Sequence, residues 1–177
     1  MTAAHTLIAI AVTSLAWASP SAAAAVSVEA EASSVPARIL AMHNRERAAV
    51  GAPPLAWDPA LAASAASYGP TLASLGRLAH SPRETRPGQR ENLSMGSASH
   101  FGLEDLVGFW VEEKAHFQPG TFPNVSRTGH WKDVAHYTQM IWKGTTNVGC
   151  AMHVAGGRNY LICRYSPPGN ADGRPVP

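Results

Sequence analysis

The chain has 177 residues, of which 45% are hydrophobic and 15% are charged. This composition is too apolar for a disordered chain, and 15 Gly and 14 Pro residues interrupt it too often for a coiled coil. A net charge of +2 without a block of Lys or Arg argues against a dedicated nucleic-acid-binding protein. Two cysteines are too few for a zinc ribbon or a disulfide-dense scaffold, so we expect one globular domain.

The N-terminal segment has the features of an export signal. Residues 1–34 contain no Lys or Arg, and the apolar run 7–17 is followed by small residues at 20–25 that offer A-x-A cleavage sites. We therefore predict a signal peptide over 1–25, a linker over 26–35 and a secreted or periplasmic mature domain. A single membrane anchor is the alternative interpretation. The mature part is not expected to span a membrane, because no later apolar run reaches about 18 residues.

Two helices are predicted next. Pro36 and Gly51 mark the ends of a helix over about 36–50. Asp58-Pro59 is typical of an N-cap followed by the first helical residue, and it opens an Ala-rich second helix. Gly69-Pro70 predicts a break or kink in that helix. Residues 80–100, which are rich in Ser, Pro, Gly and Arg, are predicted to be irregular.

A third helix is predicted over about 102–117, where apolar residues recur at helical spacing. Glu113 lies on that apolar stripe. A buried carboxylate is costly unless another group pairs with it. Glu113 therefore either has a partner or lies at a rim where it reaches water.

The C-terminal part predicts a β-hairpin. The segments 147–154 and 158–165 flank Gly156-Gly157, a strong signal for a two-residue turn. Such a turn places Cys150 opposite Cys163 at a non-hydrogen-bonded position, where facing Cα atoms lie about 4.5 Å apart. We predict a disulfide between them, with two free thiols as the alternative. Helices followed by a hairpin indicate an α+β domain with helices packed on an antiparallel sheet.

Several polar residues carry a chemical signal only in combination. His80 is expected to end the second helical region, Glu91 lies in the segment Arg90-Glu91-Asn92-Leu93, and His136 lies before Tyr137-Thr138-Gln139. None of the spacings matches an HExxH or CxxC metal motif. The spacing alone therefore does not predict a metal site.

Four segments together resemble the signatures of a known family. They are His43-Asn44-Arg45-Glu46-Arg47, Glu91-Asn92-Leu93, the run from Ala135 to Trp142, and the run from Tyr160 to Asn170. In this order they resemble the CAP superfamily, which groups cysteine-rich secretory, antigen 5 and pathogenesis-related 1 proteins. The chain departs from the family pattern at Arg90 and Ala135, where glycine is usual.

The resemblance implies a three-layer α-β-α sandwich with a central cleft, in which His80, Glu91, Glu113 and His136 meet. Two imidazoles with carboxylate partners would suit Zn²⁺ or another divalent ion, which would not be required for folding. A His–Glu hydrogen-bond network that only ties the 80–100 segment to the helices is the alternative. The resemblance also implies a short helix around His136, where the residue pattern equally permits a strand.

Other residues are expected to have structural roles. These residues are His43, Asn44 and Arg47 in the first helix, Asn92 beside Glu91, and Tyr165 and Asn170 near the C-terminal turn. The remaining histidines of the mature domain are expected at the surface: His100, His116, His130 and His153.

Three functions remain open at this point. The first is a non-enzymatic secreted domain that binds an apolar ligand, such as a sterol or fatty acyl chain, or a protein partner. The second is a metal-assisted or serine-type hydrolase that uses the four His and Glu residues, with Ser81 or Ser94 as the nucleophile. The chain has no G-x-S-x-G elbow for such a serine. The third is a secreted defence or toxin-like factor.

Overall fold

A computed structural model describes residues 34–177. The predicted signal peptide and most of the predicted linker therefore lie outside the described residues. Val35, the last residue assigned to the linker, already belongs to the first helix. Across residues 34–177, none of the helices combines the length and the apolar character that crossing a membrane requires.

The first helix, α1, comprises Val35–Ala49, close to its predicted bounds. Ser34 caps it, because the Ser34 hydroxyl oxygen accepts a hydrogen bond from the backbone N–H of Ala37. The chain turns away at Gly51, whose φ of 64° favours glycine.

The second helix, α2, comprises Pro59–Leu75 without interruption, so Gly69-Pro70 does not break it, although a kink was the other predicted outcome. Pro70 removes the hydrogen bond that would end on the carbonyl of Ala66. Pro70 and Ala66 are both exposed, so water can satisfy that carbonyl. Gly69 packs closely against the sheet. A Cβ at this position would lie only 2.8 Å from the Cβ of His153, so the close packing requires glycine. His80 lies beyond the helix rather than at its end.

The third helix, α3, comprises Leu103–Glu112 and is shorter than predicted. Its last turn tightens into a 3₁₀ turn over Glu113–Ala115, so Glu113 lies at the junction of the two. A short fourth helix, α4, comprises Ala135–Met140 and follows a 3₁₀ turn over Trp131–Val134. The helix that the family resemblance implied around His136 is therefore present.

In the part of the chain from residue 34 onwards, six strands complete the fold. They are β1 (Ala56–Trp57), β2 (Arg90–Ser97), β3 (Gly120–Thr121), β4 (Asn147–Ala155), β5 (Arg158–Ser166) and β6 (Pro175–Val176). The main sheet has the order β1-β4-β5-β2, and β3 pairs separately with β6. All pairs in the main sheet are antiparallel except β1 with β4.

The strand β2 corrects the prediction that residues 80–100 are irregular. Its buried positions include Glu91, Asn92 and Ser94, so the apolar alternation that signals a strand is absent. Backbone pairing with β5 holds the strand, with Glu91 opposite Arg164.

The predicted hairpin and disulfide are confirmed. Gly156 and Gly157 both have positive φ in the turn, and Cys150 pairs with Cys163 in the register of β4 and β5. The two residues are joined by a disulfide, with their Cα atoms 4.1 Å apart.

The layers form the expected α-β-α sandwich. Along β5, Leu161, Cys163 and Tyr165 face a core shared with α1 and α3, whereas Tyr160 and Ile162 face α2. Gly149 on β4 allows α2 to approach closely, since a Cβ there would overlap the Asp58 and Leu61–Ala62 backbone.

Candidate functional site

A cavity of about 580 Å³ opens between the segment before β2, the helix α4 and the C-terminal turn. His80 and His136 both line it, although they are 56 residues apart in sequence. Phe122 and Trp131 give the cavity one aromatic wall, and their rings meet edge to face at 5.3 Å. The volume lies within the range of small-molecule sites.

His80 is held by Glu91. The His80 ring lies with Nδ1 2.9 Å from Glu91 Oε1, and its side chain remains 54% exposed, whereas that of Glu91 is fully buried. An ionised carboxylate only accepts hydrogen bonds, so His80 Nδ1 carries the proton that is donated. In the neutral ring this leaves Nε2 with a lone pair for another partner.

The charge on Glu91 is stabilised from several sides. Its Oε1 accepts a bond from the Ser81 backbone N–H at 3.0 Å, and its Oε2 accepts one from the Ser81 hydroxyl at 2.8 Å. Arg164 Nη2 lies 3.2 Å from Oε2. Burial alone would raise the pKa of Glu91, but the hydrogen bonds from His80 and Ser81 and the charge of Arg86 bring that pKa below its usual value.

Glu113 holds His136 in the same way. His136 Nδ1 lies 2.6 Å from Glu113 Oε1, while Oε2 accepts the backbone N–H groups of His136 and Tyr137 at 2.9 and 3.0 Å. The carboxylate thus caps the first turn of α4, where unpaired N–H groups favour a negative charge. The His136 ring stacks on Trp110 at 6.1 Å, which fixes its plane. Of the two alternatives that the sequence left open for Glu113, it has a partner, and that partner is His136.

A second polar network lies beneath the cleft. The fully buried His43 has Nδ1 2.8 Å from the Ile39 carbonyl and Nε2 2.8 Å from the Tyr165 hydroxyl. Asn92 Nδ2 donates to that hydroxyl at 3.2 Å and to the His136 carbonyl at 3.1 Å. Burial, and to a lesser degree the positive charge of Arg47, lowers the pKa of His43 to about 4, although the Ile39 carbonyl opposes this.

Arg47 is the other buried centre of this region. Its guanidinium donates to the carbonyls of Pro53, Met140, Trp142 and Thr145 at 2.6 to 3.0 Å. These bonds fix the C-terminal end of α4 to α1. Burial lowers the pKa of Arg47 to about 10, which leaves the group charged at neutral pH.

Asn44 and Asn170, the two remaining residues with expected structural roles, also bind backbone groups of other segments. Asn44 exchanges hydrogen bonds with both the N–H and the carbonyl of Leu55. Asn170 has a positive φ of 50°, donates to the Ala135 carbonyl at 2.8 Å and accepts from the Thr138 hydroxyl at 2.9 Å. Asn170 thereby ties the C-terminal turn to α4 beside the cavity.

The donor set suits an open metal site better than a closed one. Within residues 34–177, no three His, Cys, Asp or Glu side chains converge as ligands for one metal ion. Glu91 and Glu113 are occupied with the Nδ1 atoms of the histidines, which is the usual position of an outer-sphere carboxylate. Two imidazole Nε2 atoms, with water or ligand atoms in the other positions, are the ligands that this arrangement can offer.

Neither candidate serine has the geometry of a nucleophile. The Ser81 hydroxyl donates to Glu91 rather than to His80, and its oxygen accepts from Arg86 at 3.0 Å and Arg164 at 3.2 Å. Both lone pairs of that oxygen are thus in use. The Ser94 hydroxyl is buried and has no hydrogen-bond partner in the described part of the chain. A serine nucleophile needs a free base within reach. Ser94 has none in the described residues, and the Glu91 carboxylate beside Ser81 is already engaged by His80 and Arg164.

Sequence reasoning did not identify Arg86, Arg164 and Trp110 as parts of the site. Arg164 lies on β5 directly opposite Glu91, so the strand register would have revealed it if β2 had been recognised. Trp110 lay on the α3 stripe, but its stacking on His136 has no sequence signal.

Comparison with known proteins identifies the family. The model of the CAP family, described as the cysteine-rich secretory protein family, matches residues 40–165. A PR-1 type pathogenesis-related protein of Sambucus nigra is 37% identical over 133 residues, which are 75% of each chain. The chain belongs to the CAP family. Pathogenesis-related protein 1C of Nicotiana tabacum is also similar, with 36% identity over 75% of this chain and 74% of its own length.

Solved structures agree with this assignment. The structure of NaASP2 with Zn²⁺ matches this CAP domain with a TM-score of 0.68 and 26% identity, over 81% of this chain and 85% of that one. The venom allergen-like protein 4 of Schistosoma mansoni matches with a TM-score of 0.60, over 79% of this chain and 92% of that one. At 22% identity, the second match supports the fold alone.

Proposed function

We propose that this protein is an exported, non-enzymatic CAP-domain binding protein. In this proposal, His80 and His136 hold Zn²⁺ or another divalent ion at the cleft through their Nε2 atoms. The cavity beside them takes a small apolar ligand, such as a sterol or lipid, or a segment of an extracellular protein partner. The observation that carries the proposal is that both imidazoles line one cavity while their Nδ1 atoms are taken by carboxylates.

The chemistry of the two histidines supports a metal. A hydrogen bond from Nδ1 to a carboxylate fixes the tautomer, orients the ring and makes Nε2 a better ligand. A bound divalent ion would supply a fixed positive charge that attracts an oxygen or nitrogen atom of the ligand. Further support comes from NaASP2, a structural neighbour whose structure is described with Zn²⁺.

The apolar wall of the cavity supports the ligand class. Phe122 is buried and Trp131 is 38% exposed, so the two rings offer apolar surface to a molecule in the cleft. Such surfaces are typical of ligand sites, where a few polar groups fix the orientation.

Export rests on the N-terminal segment and on the family, which is named for secretory proteins. The similarity to plant pathogenesis-related proteins supports a defence-related role for the exported protein. The hydrogen bonds of Ser81 are the reason to set serine-type hydrolysis aside. Accordingly, we expect no hydrolysis of casein, ester or peptidoglycan substrates beyond that of a His136→Ala variant.

Titration of the mature protein with Zn²⁺ by isothermal calorimetry tests the proposal. We expect saturable binding that His80→Ala or His136→Ala abolishes and that His100→Ala, at an exposed histidine outside the cavity, leaves unchanged. Circular dichroism establishes that each variant is folded. Unchanged binding in both cleft variants would reject the site. Mass spectrometry of lipids that copurify with the secreted protein then tests the ligand class.

A further inference from the structure

Three arginines form a cluster at one end of the cleft. Arg83, Arg86 and Arg90 line both the main cavity and an adjoining hollow of about 240 Å³. Arg83 lies in the 3₁₀ turn Arg83–Thr85 and Arg90 begins β2, so separate elements bring them together. Arg90 also stands at the position where the CAP signature usually has glycine.

Each of these arginines has guanidinium N–H groups without a hydrogen-bond partner in the described residues. Arg86 uses Nε on Ser81 and Nη1 on the Gln89 carbonyl. Arg90 donates from Nε to the Gly169 carbonyl at 2.9 Å and from Nη2 to the Asn170 carbonyl at 3.1 Å. Arg86 Nη2, Arg90 Nη1 and the whole Arg83 guanidinium make no hydrogen bond to side chains or backbone within residues 34–177.

The positive charge of the cluster is only partly balanced. Burial lowers the pKa of Arg90, and the charges of Arg83 and Arg86 lower it further, while Asp172 opposes them. Asp172 lines the same cavity. Glu91 lies 4.0 Å from Arg86 Nε, but it already accepts bonds from His80 and Ser81 and is paired with Arg164.

An unsatisfied amide lies in the same hollow. Gln89 lines it, and its side-chain oxygen is buried with no hydrogen-bond partner in the described residues. A buried polar atom in this state is unfavourable unless a ligand or water satisfies it. This amide can accept a hydrogen bond from a hydroxyl group or, when rotated, donate one to an oxyanion.

We infer that Arg83, Arg86 and Arg90 form an oxyanion-binding subsite that takes the phosphate group of a ligand, with Gln89 contacting the same group or a neighbouring hydroxyl. Guanidinium groups bind phosphate through paired, charge-assisted hydrogen bonds, and three of them can surround its oxygens. Assigning this phosphate to the molecule in the cleft rests on the proposed function. Anion binding by the arginines does not depend on it.

Calorimetry with inorganic phosphate and with glycerol 3-phosphate tests the subsite, on the mature protein freed of metal by a chelator. Arg83→Gln and Arg90→Gly each should weaken phosphate binding about tenfold, which corresponds to losing one charge-assisted pair. Arg90→Gly restores the residue of the family signature. Arg127→Gln is the matched control, because Arg127 is exposed and lines neither cavity. Tighter binding of glycerol 3-phosphate than of phosphate would identify an organic phosphomonoester as the ligand, and equal binding a free ion.

The two proposals fail separately. His80→Ala and His136→Ala should retain phosphate binding in the absence of metal, and the arginine variants should retain Zn²⁺ binding. The subsite is overturned if the wild-type protein shows no saturable phosphate binding, or if Arg83→Gln and Arg90→Gly bind as well as Arg127→Gln does. The phosphate measurements leave the metal proposal untouched, and the Zn²⁺ titration tests it separately.

Discussion

His43 and His136 show how differently two regions of this domain use the same side chain. In the network beneath the cleft, His43 is fully buried and both of its ring nitrogens have partners. At the cleft rim, the His136 side chain is 30% exposed, and only its Nδ1 has a partner in the described part of the chain. A histidine is therefore a candidate metal ligand where one ring nitrogen is held by a hydrogen bond and the other is open to the cleft.

The arginines repeat this contrast. The Arg47 guanidinium donates to four backbone carbonyls, three of them in buried hydrogen bonds, whereas the Arg83 guanidinium makes no hydrogen bond within residues 34–177. We therefore expect the interior to determine stability and, if the two proposals hold, the rim to determine binding. Substitutions in the interior should lower the free energy of unfolding, and substitutions at the rim should change ligand affinity with little effect on stability.

The largest effect is expected at Arg47. Arg47→Met should lower the free energy of unfolding by about 4 kcal/mol, because it leaves the carbonyls of Pro53, Met140, Trp142 and Thr145 without their donor. Urea denaturation measures this loss. The neighbouring Arg45→Met is the control, since Arg45 is exposed, and it should cost less than about 1 kcal/mol. Equal losses of unfolding free energy in Arg47→Met and Arg45→Met would contradict the contrast between buried and exposed arginines.

Acid should weaken the interior through His43. Its pKa in the folded protein is about 4, below the usual value of 6.5 for histidine, so protons bind the unfolded chain more tightly. The resulting stability is fully present above pH 6.5 and is lost as pH falls towards 4, by roughly 3 kcal/mol. Urea denaturation at a series of pH values measures the loss, and His43→Gln should flatten that part of the curve. A wild-type curve that is already flat over this range would show that His43 is not held neutral.

Removing the disulfide should affect the interior alone. Replacing both Cys150 and Cys163 by alanine should lower the free energy of unfolding by about 2–3 kcal/mol, because the unfolded chain regains the conformational freedom that the bridge removes. The loss is moderate because the closed loop is short. Thermal denaturation compares this variant with the wild type. The variant should bind Zn²⁺ as the wild type does, and a parallel loss of binding would show that the rim depends on the bridge.

Glu113 connects the two regions, so its variant should show a small effect in each. Glu113→Gln weakens the cap of α4 and should cost about 1 kcal/mol of stability. If the metal proposal holds, Zn²⁺ affinity should fall about tenfold or more, because His136 loses its charged outer-sphere partner. Calorimetry and urea denaturation on the same preparation separate the two effects. A loss of stability without any loss of affinity would make Glu113 purely structural.

Local signals in the sequence predicted much of the fold. The Gly156-Gly157 turn set the hairpin register, and that register placed Cys150 opposite Cys163. The helix α1 was predictable from its terminal residues. The continuity of α2 was not, because the cost of Pro70 depends on whether the carbonyl of Ala66 reaches water, which no local pattern reveals.

The site was less predictable than the fold. Glu113 on an apolar stripe signalled a missing partner, but only the family resemblance suggested His136. The strand β2 was overlooked because its inward residues are polar and are satisfied by distant groups, such as Arg164 for Glu91. Partnerships of this kind depend on tertiary structure, so hydrophobic periodicity cannot detect them.

Long-range ¹H–¹⁵N NMR of the histidine rings tests the contrast between rim and interior most directly. Without metal, the neutral rings of His80 and His136 should each carry the proton on Nδ1 and a bare Nε2. Added Zn²⁺ should shift the Nε2 signals of these two rings and leave both nitrogens of His43 unchanged. Neutral rim histidines that carry the proton on Nε2 instead, or Nε2 signals that Zn²⁺ does not move, would contradict this contrast.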